Sequence, residues 1–276
     1  MLDQMVVIYY FCDELLKTLN FKDDPQCKMT TAEVMTFTLM SSMIYNCNYR
    51  TSRLMALHHR YFSKILSHSQ LVRRIHAIPD EIWILVFKAL QVILQNKNCQ
   101  HFIVDSFPVK TYETHKSFRA RIFKGKQYHG YSASKKQFYF GIKVHMVITS
   151  EGIPIEFSIT PASMSDIRSL QNFSLDLPKN SILMGDKAYT NYQFEDELAN
   201  LDKIQLLVKR RKNLTRQNSY DDNQLLKQKR NTIETVFSSI VSRMPRNIRA
   251  RTEKGFCLKV IFFILAYMFN LYFPLY

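Results

Sequence analysis

Two segments of the chain, FIVD at 102–105 and ILMGD at 182–186, end short apolar runs on an aspartate, Asp105 and Asp186. In α/β sheets ligands collect at strand ends, so two such carboxylates on neighbouring strands would face each other. A third acid, Glu234, sits in RNTIETVFSSIV. There Ile233, Val236, Phe237, Ile240 and Val241 follow the i, i+3, i+4, i+7, i+8 spacing of a core-facing helical stripe. Glu234 lies seven residues before Val241 and falls on the edge of that stripe. Burying a charged carboxylate there is costly unless a cation or hydrogen bonds compensate. The plainer alternatives are a turn or capping role for each aspartate and, for Glu234, a salt bridge to Arg230. Three carboxylates without a His or Cys ligand set suit hard cations, Mg²⁺ or Mn²⁺. Two such ions about 4 Å apart serve in-line phosphoryl displacement, so the chemistry expected is phosphodiester cleavage and strand transfer.

Basic residues flank these acids in three clusters. A long loop from Lys110 to Lys136 holds eight Lys or Arg residues against the single acid Glu113, interleaved with Tyr112, Phe118, Phe123, Tyr128 and Tyr131. Lys209, Arg210, Arg211 and Lys212 with Arg216 form the second cluster, and Arg243, Arg246, Arg249, Arg251 and Lys254 the third. The formal net charge is +15, which suits a surface that meets a polyanion through counterion release. Charge runs are usually solvated faces. These three adjoin the acids in the chain, the arrangement that a channel for a phosphate backbone requires. The interleaved aromatics could stack on unpaired bases or simply pack.

The elements that must position the acids follow from patterning. Residues 1–98 read as an all-helical N-terminal domain, either DNA-binding or oligomerising. In it Thr30 and Glu33 make a capping box ahead of an apolar stretch through Ile44, Tyr49 to His76 reads as two or three short helices, and Pro79 opens a helix to about Gln95. Residues 99–255 read as an α/β catalytic domain with a mixed sheet, in the order strand, strand, strand, helix, strand, helix, strand, helix. Its clearest strand alternates from Phe138 to Ile148 and turns at Glu151-Gly152 into a hairpin partner, Ile153 to Thr160. Helices are expected near 166–175, 192–200 and 221–243, and strands at 182–184 and 204–208. Residues 256–276 read as a C-terminal packing helix, because Lys259 and Asn270 interrupt the apolar run and leave it short of the roughly 20 residues a membrane span needs. Five scattered cysteines without a CxxC or Cys/His cluster, and no export signal, predict a reducing cytoplasm and no zinc site.

The same residues resemble a known family, the DDE transposases of bacterial insertion sequences, and most closely the insertion sequence 982 family. The resemblance is carried by IVDSFPV, by YFGIKVHMVITSEG leading to ITPASMSDIRSL, by GDKAY, by IQLLVKRRKN, and by KRNTIETVFSSI followed by RARTEKGF. It implies a ribonuclease H-like core with Asp105, Asp186 and Glu234 as catalytic metal ligands. It also implies double-stranded DNA with terminal inverted repeats and target DNA as partners, and a homo-oligomer assembled on that DNA. Related families place a Tyr three residues before the Arg and a Lys seven after the Glu of the last motif. Here Arg230 is present, but Lys227 and Val241 occupy the other two places. Lys143, His145 and Lys187 match family positions, with a sheet-surface packing role as the alternative for His145. DNA contacts are thus expected from Lys143, Lys187, Lys209, Arg210, Arg211, Lys212, Arg230, Arg249 and Arg251. Competing expectations are a ribonuclease H-like nuclease that cannot join strands, and a DNA-binding remnant without chemistry.

Overall fold

Backbone hydrogen bonding and apolar spacing produce nine α-helices and six strands among the described residues, which in the computed structural model are all but residues 1, 97, 113, 133–135 and 275–276. In chain order they are α1 (Leu2–Thr18), α2 (Thr31–Ile44), α3 (Tyr49–His58), α4 (His68–Ala77), α5 (Asp80–Leu94), β1 (His101–Tyr112), β2 (His129–Ser132), β3 (Gln137–Thr149), β4 (Pro154–Pro161), α6 (Asp166–Gln171), β5 (Ile182–Gly185), α7 (Tyr192–Glu197), β6 (Gln205–Val208), α8 (Tyr220–Ser242) and α9 (Glu253–Tyr272). Two compact units result, one of residues 1–94 with 239–276 and one of residues 95–238.

The first unit is helical. Its α2 starts on the Thr30–Glu33 capping box, in which the Glu33 N–H donates to Thr30 Oγ1 (3.2 Å) and the Thr30 N–H to Glu33 Oε2 (2.7 Å). A second capping box, Ser67 with Gln70, starts α4. Thr252 caps α9, which therefore begins before Phe256. By length and composition α9 could cross a membrane, but 67% of its apolar window is buried inside the protein. An all-round apolar helix of this kind is a core element. It packs on α2 and α5, with Phe262 set edge-on to Trp83 (4.6 Å between ring centroids) and Phe269 edge-on to Phe11 (5.3 Å).

The second unit is built on one mixed sheet in the order β2-β3-β1-β5-β6, with β4 also on β3. β3 runs antiparallel to β1, β2 and β4, while β5 and β6 are parallel additions to β1. One face carries the cluster of Phe102, Val104, Val147, Leu183, Tyr189 and Leu206. On the other, Phe237 of α8 packs on Phe107 of β1 (4.7 Å between centroids).

Three expectations need correction. Asp105 does not end its strand, because β1 continues to Tyr112 with Phe107 and Val109 buried. What stops near Asp105 is the neighbour: pairing with β5 ends at Ile103↔Met184, while pairing with β3 runs on to Tyr112↔Phe140. The basic segment 110–136 is not one long loop. It contains two 3₁₀ turns, Thr114–Arg119 and Lys126–Tyr128, and then β2 on β3; Glu113 and Lys135 lie outside the described residues. Lastly, α6 and α7 are shorter than read, each six residues, and α7 passes into a wider turn, Leu198–Asp202.

Candidate active site

Strand register brings the two aspartates together. Asp105 and Asp186 each stand two residues beyond the paired Ile103 and Met184, on adjacent parallel strands. Asp105 shares a sheet face with its partner Met146 and with Phe107, the face on which α8 lies. Its carboxyl is pushed up to about 7, first by burial and then by the neighbouring charges of Asp186 and Asp166; the Ser106 N–H and Arg230 work against this. That N–H donates to Asp105 Oδ1 at 2.8 Å. Asp186 caps the short turn Lys187–Tyr189, accepting the Ala188 N–H on Oδ1 at 2.6 Å. Gly185 has no side chain to keep Tyr189 off the strand: a Cβ there would stand 3.1 Å from the ring and 3.2 Å from Val104. The Tyr189 phenol is buried beside Asp166, Asp105 and Asp186, and burial with these charges holds it protonated.

Glu234 departs from the sequence reading. Ile233, Val236, Phe237 and Ile240 are buried as the stripe requires, but Val241 is 42% exposed, so the edge on which Glu234 stands faces out. Its side chain is 55% exposed and takes the Arg230 Nε–H at 2.9 Å, the salt bridge set out above as the plainer alternative. The cost of burying a carboxylate therefore does not argue for a metal ligand here. Arg230 also acts on Asp105, which places it in the field of both acids.

The fit of a divalent cation can be judged from the donor set. No group of three His, Cys, Asp or Glu side chains stands close enough to hold a metal among the described residues. Asp105 and Asp186 nevertheless suit a hard cation. They are paired oxygen donors, and burial together with like charge makes ionising Asp105 unfavourable until positive charge arrives. Glu234 stands apart from this pair, held by Arg230 in an exposed i, i+4 contact of a kind that contributes only about 0.3–0.5 kcal/mol.

Besides Arg230, two residues expected to meet DNA are engaged within the protein. Arg210 makes a bidentate, nearly buried pair with Glu195 (2.8 and 2.6 Å), its side chain 9% and that of Glu195 8% exposed. It also lies 5.4 Å from the Tyr192 ring centroid, with Arg216 at 4.8 Å. It fastens the segment after β6 to α7. Lys143 points into the second unit, donating to Met164 O (3.0 Å) and Asp166 Oδ1 (3.3 Å). By contrast Lys187, Lys209, Arg211, Lys212, Arg249 and Arg251 are exposed.

Sequence reasoning missed Asp166. Its Oδ1 accepts the Ser106 hydroxyl at 2.7 Å as well as Lys143, and His145 Nδ1 stands 3.5 Å away. His145 is 1% exposed, and burial pulls it down to about 4, so it is neutral. An acid in the first turn of a helix reads as an ordinary start signal. The motif ITPASMSDIRSL held the residue, but nothing local marks its distant partners.

Comparison with known proteins now adds to this geometry. No curated protein sequence matches the chain. Among solved structures, that of the piggyBac transposase, seen in a synaptic complex with hairpin DNA, is similar with a TM-score of 0.54 at 11% identity; the match covers 94% of this chain and 70% of that one. At that identity the likeness speaks for the fold alone. The family described as a transposase DDE domain matches residues 95–247, more than half of the chain and the whole span from β1 through α8. The chain belongs to the DDE transposases.

Proposed function

We propose that this transposase cuts and joins DNA strands at the terminal inverted repeats of an insertion sequence that encodes it, with Asp105, Asp186 and Glu234 holding Mg²⁺ or Mn²⁺. The observation that carries the reading is the convergence of Asp105 and Asp186 beyond the paired Ile103 and Met184, where burial and mutual repulsion leave Asp105 in want of a cation. The mixed sheet, an antiparallel hairpin extended by two parallel strands, is the order expected of a ribonuclease H-like core. The sequence motifs favour a bacterial element of the insertion sequence 982 family, working as an oligomer on paired DNA ends in the cytoplasm.

In this reading Asp105, Asp186 and Glu234 would hold two divalent ions, whose charge would favour in-line phosphoryl displacement. The chain's own residues do the rest. Ser106 orients Asp105 through its N–H, and Asp186 is fixed by its turn. Arg230, paired with Glu234, is exposed enough to exchange that carboxylate for a phosphate, which would release Glu234 towards the aspartates. The exposed Lys187, Lys209, Arg211 and Lys212 of this unit are the candidates for holding the backbone.

The test uses purified full-length chain, Mg²⁺ and DNA carrying the element's own ends, with pre-cut 3′-hydroxyl ends in a parallel assay. Nicking and joined products are expected. Asp105→Asn and Asp186→Asn should each reduce both by at least about a hundredfold, the order seen when a charge-stabilising group is removed from a site, and Glu234→Gln should follow them. Hydrolysis without joining would replace the reading with that of a nuclease. Full activity in all three variants would overturn it.

A further inference from the structure

Behind Asp105, on the opposite face of β1, lies a polar cluster of which the proposed chemistry uses only Ser106. Ser106 pairs with His145 across β1 and β3, and Pro108 with Lys143, so Ser106, His145 and Lys143 share one face while Asp105 points from the other. Asp166 reaches this face from the start of α6. One oxygen, Oδ1, takes the Ser106 hydroxyl (2.7 Å) and the Lys143 ammonium (3.3 Å), with His145 Nδ1 at 3.5 Å. Each supporting group is held in turn. Lys143 also donates to Met164 O at 3.0 Å, and His145 Nε2 meets Thr160 Oγ1 at 3.0 Å. Ser158 and Ser169 tie β4 to α6 through their hydroxyls, also at 3.0 Å.

We infer that Asp166 is a positioning residue for the Asp105 carboxylate and acts through Ser106. The inference rests on Asp105 being a metal ligand, as proposed above. Ser106 is the link because it is gripped twice: its hydroxyl is anchored on Asp166 and its N–H donates to Asp105 Oδ1 at 2.8 Å. At Asp105 β1 is laddered on one side only, by β3, since pairing with β5 ends at Ile103. A partly buried ion pair is a poor choice for stability alone, because apolar residues of similar volume often serve as well or better. Fixing the geometry of a ligand is what such supporting groups do, and their loss typically costs 10–100-fold in metal affinity or activity.

The decisive variant is Ser106→Ala, which cuts the link and leaves the Lys143–Asp166 pair in place. The second, Asp166→Leu combined with Lys143→Met, removes both charges together and so avoids stranding a buried ammonium. With full-length protein, Mn²⁺ affinity is read by electron paramagnetic resonance, using Asp105→Asn to define the signal from the site. Each variant should weaken that affinity about tenfold, and the triple variant should be no weaker than either alone, because both act along one path. In the nicking assay kcat should fall while KM for DNA stays unchanged. Wild-type affinity in Ser106→Ala, or losses that simply add in the triple variant, would overturn the inference; should the second variant not fold, Ser106→Ala decides alone. Wild-type protein that binds Mn²⁺ through Asp105 but joins no DNA would sink strand transfer while leaving the positioning role to stand. If Asp105→Asn changes no Mn²⁺ signal, both fall.

Discussion

Buried His145 and partly buried Asp105, on opposite faces of β1 and β3, respond to protons in opposing senses. His145, pulled down to about 4 by burial, binds its proton less readily folded than unfolded, where a histidine titrates near 6.5. Between pH 6.5 and 4 the unfolded chain takes up that proton first, so this contribution destabilises the fold as pH falls. Asp105, pushed up to about 7, holds its proton more tightly folded than unfolded, so its contribution falls as pH rises from about 4 to 7. The two slopes partly cancel in the metal-free wild type. We therefore expect Asp105→Asn, compared with wild type, to gain in urea midpoint as pH is raised across that window, and His145→Gln to gain as pH is lowered. Each tenfold difference in proton affinity corresponds to about 1.4 kcal/mol. Added Mg²⁺ should narrow the difference between wild type and Asp105→Asn at pH 8, because a bound cation stabilises the ionised carboxylate. Parallel pH profiles for all three proteins would show that neither group titrates as its burial implies.

Between elements, the contrast of Arg210 with its neighbours separates structure from binding within one basic run. Arg210 joins the segment after β6 to α7 through Glu195, and removing one partner of a nearly buried pair strands the other. Arg210→Ala should cost about 3 kcal/mol in unfolding free energy, whereas Lys212→Ala should stay within about 0.5 kcal/mol and weaken DNA binding instead. Equal stabilities measured by urea unfolding would contradict this division. Phe237→Ala should cost about 3–5 kcal/mol, since its ring sets α8 on Phe107 of β1. These cases also show what the sequence could reveal. The long alternation of β3, the apolar run before Asp186 and the Thr30–Glu33 box were legible because each is a local pattern of period two, of length or of capping. β2, four residues with little apolar signal, was not, and the continuation of β1 was hidden by Asp105 and Pro108, which both read as strand breakers. The stripe on α8 gave the core-facing residues but not the outward turn of Glu234. Engagement of Arg210 and Lys143 with acids 15 and 23 residues away leaves no periodic trace, and a charge run looks the same whether its members are free or paired.

Across the whole chain, the excess of 38 Lys and Arg over 23 Asp and Glu becomes more selective once these pairs are set aside. Lys187, Lys209, Arg211, Lys212, Arg249 and Arg251 remain exposed, and six phosphate contacts from them would give a slope of log K against log salt of about −5. Affinity for duplex DNA should then fall by about a thousandfold between 50 and 200 mM salt, as read by fluorescence anisotropy at several salt concentrations. Neutralising Arg249 and Arg251 together should reduce the slope by about 2, whatever the DNA sequence, because phosphate contacts carry no base information. Lys143→Met should leave the slope as it is, since its ammonium is bound to Asp166 and Met164. A slope near zero would mean that the surplus charge only keeps the protein soluble. A slope that changed with Lys143 would mean that the ion pair behind Asp105 opens to admit DNA.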